Sequence, residues 1–215
     1  MPDETNTPAA PDARMRLLAA AEVEFAEKGF DGATIRDITR RAGVNIASIS
    51  YYFGDKEHFY TETVKYSHAC ATSPDTFPLP PPGSSPVERL EGFIREMVKR
   101  MHAPTRATAL KLVMREMTDP GKAADVVVRE FIQPFAFALR GLLAELLPGV
   151  DPKTLLMIGF SVIGQCLFYR QNRRVAELIF GKDEVDSLDL AAVSDHVVRF
   201  TLAALGHAAP IGTNP

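Results

Sequence analysis

Cysteine is scarce in this 215-residue chain: Cys70 and Cys166 are the only two, far apart, a pattern that fits a reduced, cytoplasmic protein better than a disulfide-stapled one. Both thiols read as small core residues. An excess of charge is missing as well. With 24 basic against 27 acidic residues the net charge is −3 and the pI is near 6.0, which excludes a generally sticky polycation. There is no metal-spaced His/Glu motif, no nucleophile elbow and no phosphate loop, and the five histidines are scattered. His68 and Cys70 lie two apart on one helix and so do not share a face. The chain is therefore expected to be no enzyme and to need no cofactor and no metal. The opening MPDETNTPAAPDA is polar and proline-bearing, neither a secretory signal nor a transit peptide, and residues 1–11 read as a disordered leader. From Thr154 to Tyr169 there is no charge, but sixteen residues interrupted by Ser161 and Gln165 are short for a membrane span, so a buried helix and no membrane partner are expected.

What is present is a hydrophobic content of 46%, enough for a small domain plus a larger helical bundle. The most informative stretch is TIRDITRRAGVNIASISYYFGDK, Thr34 to Lys56. Thr34 can cap a helix with Asp37 at the capping-box position, and Ile35, Ile38 and Ala42 repeat on one face. Arg36, Arg40 and Arg41 are left for the other faces. Gly43 permits a sharp turn, and Asn45 is a strong N-cap for a second helix from about Ile46 to Phe53. There Ile49 and Phe53 should face the core, leaving Ile46, Ala47, Ser48, Ser50, Tyr51 and Tyr52 outward, with Lys56 opening the next helix. This is the outline of a helix-turn-helix that enters a DNA groove: small Ala47 and Ser48 permit close approach, while tyrosine hydroxyls and Lys56 reach phosphates. Tyr52 could equally pack on the first helix. Between Thr34 and Lys56 the acids are only Asp37 and Asp55, so a small positive face is expected on an acidic protein.

Helical patterning accounts for most of the rest. A first helix runs from about Asp12 to Lys28 with Leu18, Ala21 and Phe25 inward, and Gly29-Phe30 reads as a left-handed cap with its hydrophobic contact. A fourth begins after Asp55 and carries Phe59, Thr63, Val64 and Ser67, a mechanical link between a DNA-reading part and a body. Six prolines between Ser73 and Pro86 make an extended loop. Ser85, Pro86 and Glu88 open a fifth helix with Leu90, Ile94, Met97 and Met101 on one face. A sixth spans about Arg106 to Met117. Asp119-Pro120 is expected to cap a long seventh helix to Leu147, kinked at Pro134. Asp151-Pro152 opens the eighth, where Gly159 and Gly164 permit close helix approach, and an acidic flexible turn from Lys182 to Asp186 precedes a ninth, about Asp189 to Leu205, with Leu190, Val193, Val197 and Phe200 on one stripe. The last two pack within one chain or pair with their twins. Phe93, Met97, Met101, Met114, Met117, Phe131 and Phe135 are candidates to border a cavity, or are simply core. Arg115, Glu116, Gln165, Tyr169 and Arg170 are polar groups able to orient a ligand there; alternatively, Arg115 and Glu116 pair structurally with the Asp119 turn.

On Thr34, Arg36, Asp37 and Ile38, then Ala42, Gly43 and Val44, then Tyr51, Tyr52 and Phe53, then Lys56 and Glu57, the chain resembles the TetR family of one-component transcriptional regulators. REMTDP (Arg115 to Pro120), IQP (Ile132 to Pro134) and GQCLFYR (Gly164 to Arg170) resemble its CecR-like subgroup. Together the two resemblances cover about residues 12 to 205. They imply an all-α fold: an N-terminal three-helix helix-turn-helix DNA-binding domain over 12–55, a C-terminal helical-bundle ligand-binding and dimerisation domain over 56–206, and a flexible tail over 207–215. They also imply a homodimer through helices eight and nine, a double-stranded DNA operator of palindromic form, and release by a small-molecule inducer. By resemblance Thr34, Asn45, Tyr51, Tyr52 and Lys56 touch phosphates and Ala47 and Ser48 lie nearest base edges, with Arg36, Ile46 and Ser50 beside them. Many relatives carry Lys where this chain has Ile46, and Ser or Thr where it has Asn45, so the phosphate grip here leans on Lys56 and the preceding helix. The ligand site would draw on Phe93, Met97, Met101, Met114, Arg115, Met117, Phe131, Phe135, Gln165 and Tyr169. The rival reading is the same scaffold acting as a non-transcriptional interaction or ligand-binding protein.

Overall fold

The computed structural model describes residues 12–71, 83–103 and 107–209, apart from the side chains of Cys70 and Ala71. The expected leader, the prolines between 72 and 82, Arg106 and the tail beyond 209 lie outside the described residues. The elements, in order, are α1 (Ala13–Gly32), α2 (Ile35–Ala42), α3 (Ala47–Tyr52), α4 (Lys56–Ala71), α5 (Pro86–His102), α6 (Ala107–Thr118), α7 (Ala124–Val126), a π-helical turn (Val127–Ile132), α8 (Gln133–Leu146), α9 (Pro152–Gln171), α10 (Arg173–Phe180), α11 (Lys182–Asp186) and α12 (Leu190–Ala204). Among the described residues every element is helical. The chain forms two compact units, Met1–Ala71 with Thr108–Val127, and Thr72–Ala107 with Val128–Pro215.

In the first unit α1 packs on α2 and α4, and the core is aromatic. Phe25, Phe53, Phe59 and Tyr60 are buried beside Leu17, Leu18, Ala21 and Ile38. Tyr60 meets the rings of Phe25 and Phe30 edge-on at 4.8 and 5.3 Å, and Phe53 lies 4.4 Å from Phe59. Such tilted pairs add to the burial of apolar area, which dominates the energy here. Gly29 is not the left-handed cap the sequence suggests. Its φ of 76° and ψ of 179° lie in a region open essentially to glycine alone, interrupting α1 before a last turn to Gly32. The second reason for glycine is steric: a Cβ there would fall 1.8 Å from Arg115 Nη1, because the guanidinium lies directly over the backbone.

Downstream of α6 the expected long helix is present as one unbroken helical run over 124–146, made of α7, the π-helical turn and α8, but it starts later than Asp119-Pro120 suggests. Glu116 accepts the amides of Gly121 at 3.0 Å and Ala123 at 3.1 Å, folding the Asp119-Pro120 segment into a turn instead of a cap, and α7 starts only at Ala124. Nor does Pro134 simply kink a helix. The helix widens into the π-helical turn just before Pro134 and continues as α8, so the disturbance falls on the turn preceding the proline.

The second unit is built around α5, which meets α8, α9 and α12. Ser85 and Glu88 form the full capping box with Pro86 at its start. Leu90, Phe93, Ile94, Met97 and Val98 interlock with Leu139 and Leu143, with Val162 and Cys166, and with Val193, Val197 and Leu202. Arg95 to Asp195 at 2.5 Å, and Arg89 to Glu145, brace the surface. The ninth-helix stripe is rotated from the expected one: Val193, Ser194, Val197, Val198, Thr201 and Leu202 are buried, while Leu190 and Phe200 sit at its exposed edges. The acidic segment before it is the short helix α11, held by ion pairs from Lys182 and Arg173 to Asp186, and α10 was not foreseen from the sequence.

The largest departure is α9. Only Leu155, Val162 and Cys166 are buried; Leu156, Met157, Phe160 and Phe168 are exposed, so the helix is not enclosed by its own chain. At 20 residues it is also longer than the charge-free run implied, and by length and composition alone it is long and apolar enough to cross a membrane. Three of its residues join the core of the unit and Gly159 packs against Leu139 and Leu143 of α8, so one face is committed to protein.

The Gly29 geometry makes a direct prediction. Gly29→Ala should lower the unfolding free energy by about 2–4 kcal/mol, from backbone strain and displacement of Arg115. Denaturant titration followed by circular dichroism measures it, and a variant as stable as the wild type would show the site to be relaxed.

Candidate nucleic-acid interface

The helix-turn-helix is assembled by local hydrogen bonds. The Thr34 hydroxyl accepts from the Asp37 amide at 3.1 Å and donates to the Asp37 carboxylate at 2.8 Å, capping α2. At its other end Gly43, φ 64° and ψ 40°, donates to Arg40, and the Val44 amide reaches back to the Thr39 carbonyl, a pairing that closes helices through a left-handed residue. Asn45 Oδ1 then accepts from the Ala47 amide at 2.9 Å and starts α3. Ile49 and Phe53 anchor α3 in the aromatic core, and Asp55 caps α4 by accepting from the His58 amide at 2.8 Å.

With Ile49 and Phe53 inward, the other side of the motif is open. Thr34, Arg36, Asn45, Ile46, Ala47, Ser50 and Tyr51 are exposed, Tyr51 by 81%, while Ser48, Tyr52 and Lys56 are half-buried. Tyr51 and Tyr52 meet edge to face at 4.8 Å, and Tyr52 also leans on Phe53 at 6.2 Å. Lys56 Nζ sits 4.7 Å above the Phe30 ring, an attraction that pre-orients a cation.

The positive face is smaller than a local count of charges suggests, because Glu24 arrives from α1 and Asp37 pairs within α2. Glu24, 4% exposed, takes Lys28 at 2.6 Å and Arg41 at 3.0 Å, while Asp37 takes Arg40 and, at 3.8 Å, Lys28. The network staples α1 to α2 and uses the charge of Arg40 and Arg41 internally. Neither Arg36 nor Lys56 takes part in this network. Glu24 and Lys28 lie a helix away in sequence; the one clue was their i, i+4 spacing on α1.

The residues expected to line a ligand site fall in both units. Met114, Arg115 and Met117 belong to the first, where Arg115 covers Gly29 and Met117 is exposed. Glu116 is buried, bonded to the Tyr60 hydroxyl at 2.7 Å as well as to the two turn amides. Of the alternatives, the structural one describes Glu116. Phe93, Met97 and Phe131 are buried in the second unit; Met101, Phe135, Gln165 and Tyr169 are half-buried, with Arg100 over the Phe135 ring and the Gln165 amide on the Ser161 carbonyl at 3.3 Å. Arg170 is half-buried on the same helix.

Two short helices about a capped turn, held on an aromatic platform with an open outer face, define a helix-turn-helix DNA-binding protein. Residues 17–63 match the model for bacterial regulatory proteins of the tetR family, and residues 86–205 match the C-terminal domain of the HTH-type transcriptional dual regulator CecR. The chain is 30% identical to the CecR regulator of Shigella flexneri, over 79% of its own length and 80% of that protein's. It therefore belongs to the TetR family of bacterial transcriptional regulators, with a CecR-type C-terminal domain. Over 23% of the chain and 27% of the relative it is 42% identical to IcaR, the negative transcriptional regulator of the biofilm operon icaADBC in Staphylococcus aureus. Among solved structures, a TetR-like transcriptional regulator from Rhodococcus sp. RHA1 matches 92% of this chain and 98% of its own with a TM-score of 0.62 at 15% identity. FadR of Bacillus subtilis, solved with stearoyl-CoA, matches 88% and 97% with a TM-score of 0.55 at 16% identity. At such identities the likeness is one of fold.

The buried carboxylate gives the interface a pH signature. Hydrogen bonding from Lys28 holds the Glu24 carboxyl below its ordinary value of 4.5, with Lys28 and Arg41 charges adding and burial opposing. A carboxyl favoured in its charged form by folding contributes stability above its ordinary value and loses it as the pH falls below. Glu24→Gln should cost about 1–3 kcal/mol at neutral pH and flatten the loss of stability below pH 4.5. Thermal melts across an acid series would register an unchanged slope if the network contributed nothing.

Proposed function

We propose that this protein is a homodimeric repressor that sits on a palindromic operator and is released by a small molecule. In this reading Thr34, Asn45, Tyr51, Tyr52 and Lys56 grip phosphates, with Arg36 beside them, and Ala47 and Ser48 face base edges flanked by Ile46 and Ser50. What carries it is the combination of an uncharged, open α3 with the scarcity of free cations around it. One such head makes few phosphate contacts and binds weakly, so a useful affinity needs two heads on two half-sites, about 34–36 Å or a multiple apart.

Support for the second copy comes from α9. Leu156, Phe160 and Phe168 stand exposed at steps of four or eight residues, Phe160 by 68%, with Gly164 in line between the last two and Met157 beside Leu156. An apolar stripe of this size on a protein of net charge −3 is more consistent with a protein partner than with water or an anionic bilayer. Paired with the exposed edge of α12 at Leu190 and Phe200, it makes a self-complementary two-fold contact the natural occupant. The setting of such a protein is the cytoplasm. A ligand would act by favouring one of two separations of the heads. Phe93, Met97, Met101, Phe131, Phe135, Gln165 and Tyr169, all in the second unit, are the residues proposed to meet it, an aromatic or amphipathic compound.

Two measurements test this reading. Lys56→Ala should weaken binding to all duplexes alike and reduce the slope of log affinity against log salt by roughly 1, as for one lost phosphate contact; a changed base preference at constant slope would refute the role. Gly164→Arg tests the dimer, because a Cβ at Gly164 meets nothing within 4 Å in the monomer. Light scattering should show monomers of a normally folded chain, and an intact dimer would rule out the α9 interface.

A further inference from the structure

We propose that Glu116 is a positioning residue for DNA binding: it ties the turn after α6 to α4, the helix that opens with Lys56, so that movement of the turn changes how the helix-turn-helix meets DNA. The inference rests on the regulator reading above and names the residue through which regulation reaches the DNA-binding surface.

Three neutral donors converge on this one buried carboxylate. The Tyr60 hydroxyl gives to Oε1 at 2.7 Å, and the amides of Gly121 and Ala123 give to Oε2 at 3.0 and 3.1 Å. Glu116 is 4% exposed and Tyr60 fully buried, so water cannot replace a lost partner without opening the unit. Tyr60 is wedged against Phe30 at 5.3 Å, and Phe30 in turn lies beneath Lys56 at 4.7 Å. A continuous set of contacts therefore joins the proposed phosphate-binding ammonium to the turn, all inside one compact unit. A second tie runs along the surface, where Lys122 of the turn meets Glu57 of α4 at 3.0 Å. The first two turns of α4 are thus held at Lys56, Glu57 and Tyr60. Four residues beyond Ala123 the chain enters the π-helical turn Val127–Ile132, an irregular geometry of the kind often found at functional sites. Because all these bonds are short and buried or paired, the turn and α4 shift together or the bonds break, which is the discrete behaviour coupling requires.

Coupling in binding free energy is reciprocal, so DNA must act on the turn as the turn acts on DNA. Hydrogen exchange of the full chain, with and without a duplex it binds in a band shift, reads this without any inducer. The Gly121 and Ala123 amides should exchange about fivefold or more slower in the complex, the low end of allosteric couplings. Tyr60→Phe, which keeps the ring and removes the donor, should still bind the duplex but lose this slowing, as should Glu116→Ala. Glu116→Gln, able to bridge the same partners with its amide, should retain it. Equal slowing in wild type, Tyr60→Phe and Glu116→Ala would overturn the proposal, as would no slowing in a wild type that binds the duplex. Absence of any band shift would instead overturn the DNA-binding reading, and the coupling with it.

Discussion

A helix of six residues does not persist in water on its own, and the first unit is organised by the need to hold α3 in place. Two side chains, Ile49 and Phe53, are all that α3 and its end contribute to the core, and they are enough only because α1 and α4 present a preformed aromatic surface. Phe25, Phe59 and Tyr60 make that surface, and the Glu24 network fixes the angle at which α2 delivers the turn to it. Hydrophobic burial supplies the energy and the buried carboxylates supply the register.

Burial and charge are divided in the same way in both units, with different consequences. In the first, Glu24 of α1 pairs with Arg41 and Asp37 of α2 with Arg40, so two of the three arginines of α2 are engaged within the unit. In the second, α5 lies between α8, α9 and α12, and its ion pairs lie at the rim. There the apolar surplus is on the outside, along α9, α10 and the edges of α12. A small net charge and a bare apolar stripe are coherent with the proposed pairing of two chains.

Much of the helix-turn-helix was legible in the sequence because its signals are local. Thr34, Gly43, Asn45 and Asp55 act within two to five residues of themselves, and each is found at the bond its chemistry suggests. Signals that depend on distant partners were not legible. Nothing near Gly29 announces that Arg115, far along the chain, will lie over it, and Asp119-Pro120 has the form of a helix start until Glu116 claims the amides beyond it. The apolar content of α9 reads as burial because composition records the tendency to leave water, not which molecule provides the cover. Its neighbour α10 went unread because eight residues opened by Asn172 without a side-chain cap are too short a stretch to stand out. Pro134 was recognised as a disturbance but not in kind: a missing amide is absorbed by widening the preceding turn as readily as by a kink.

The central claim is that one open, weakly charged α3 per chain acts as half of a two-fold reader. Selection of bound sequences from a random duplex pool by the full-length protein tests it most directly. The account predicts enrichment of an inverted repeat whose half-site centres lie about 34–36 Å or a multiple apart. Recovery of no sequence preference, or of a single unrepeated half-site bound by one chain, would contradict it.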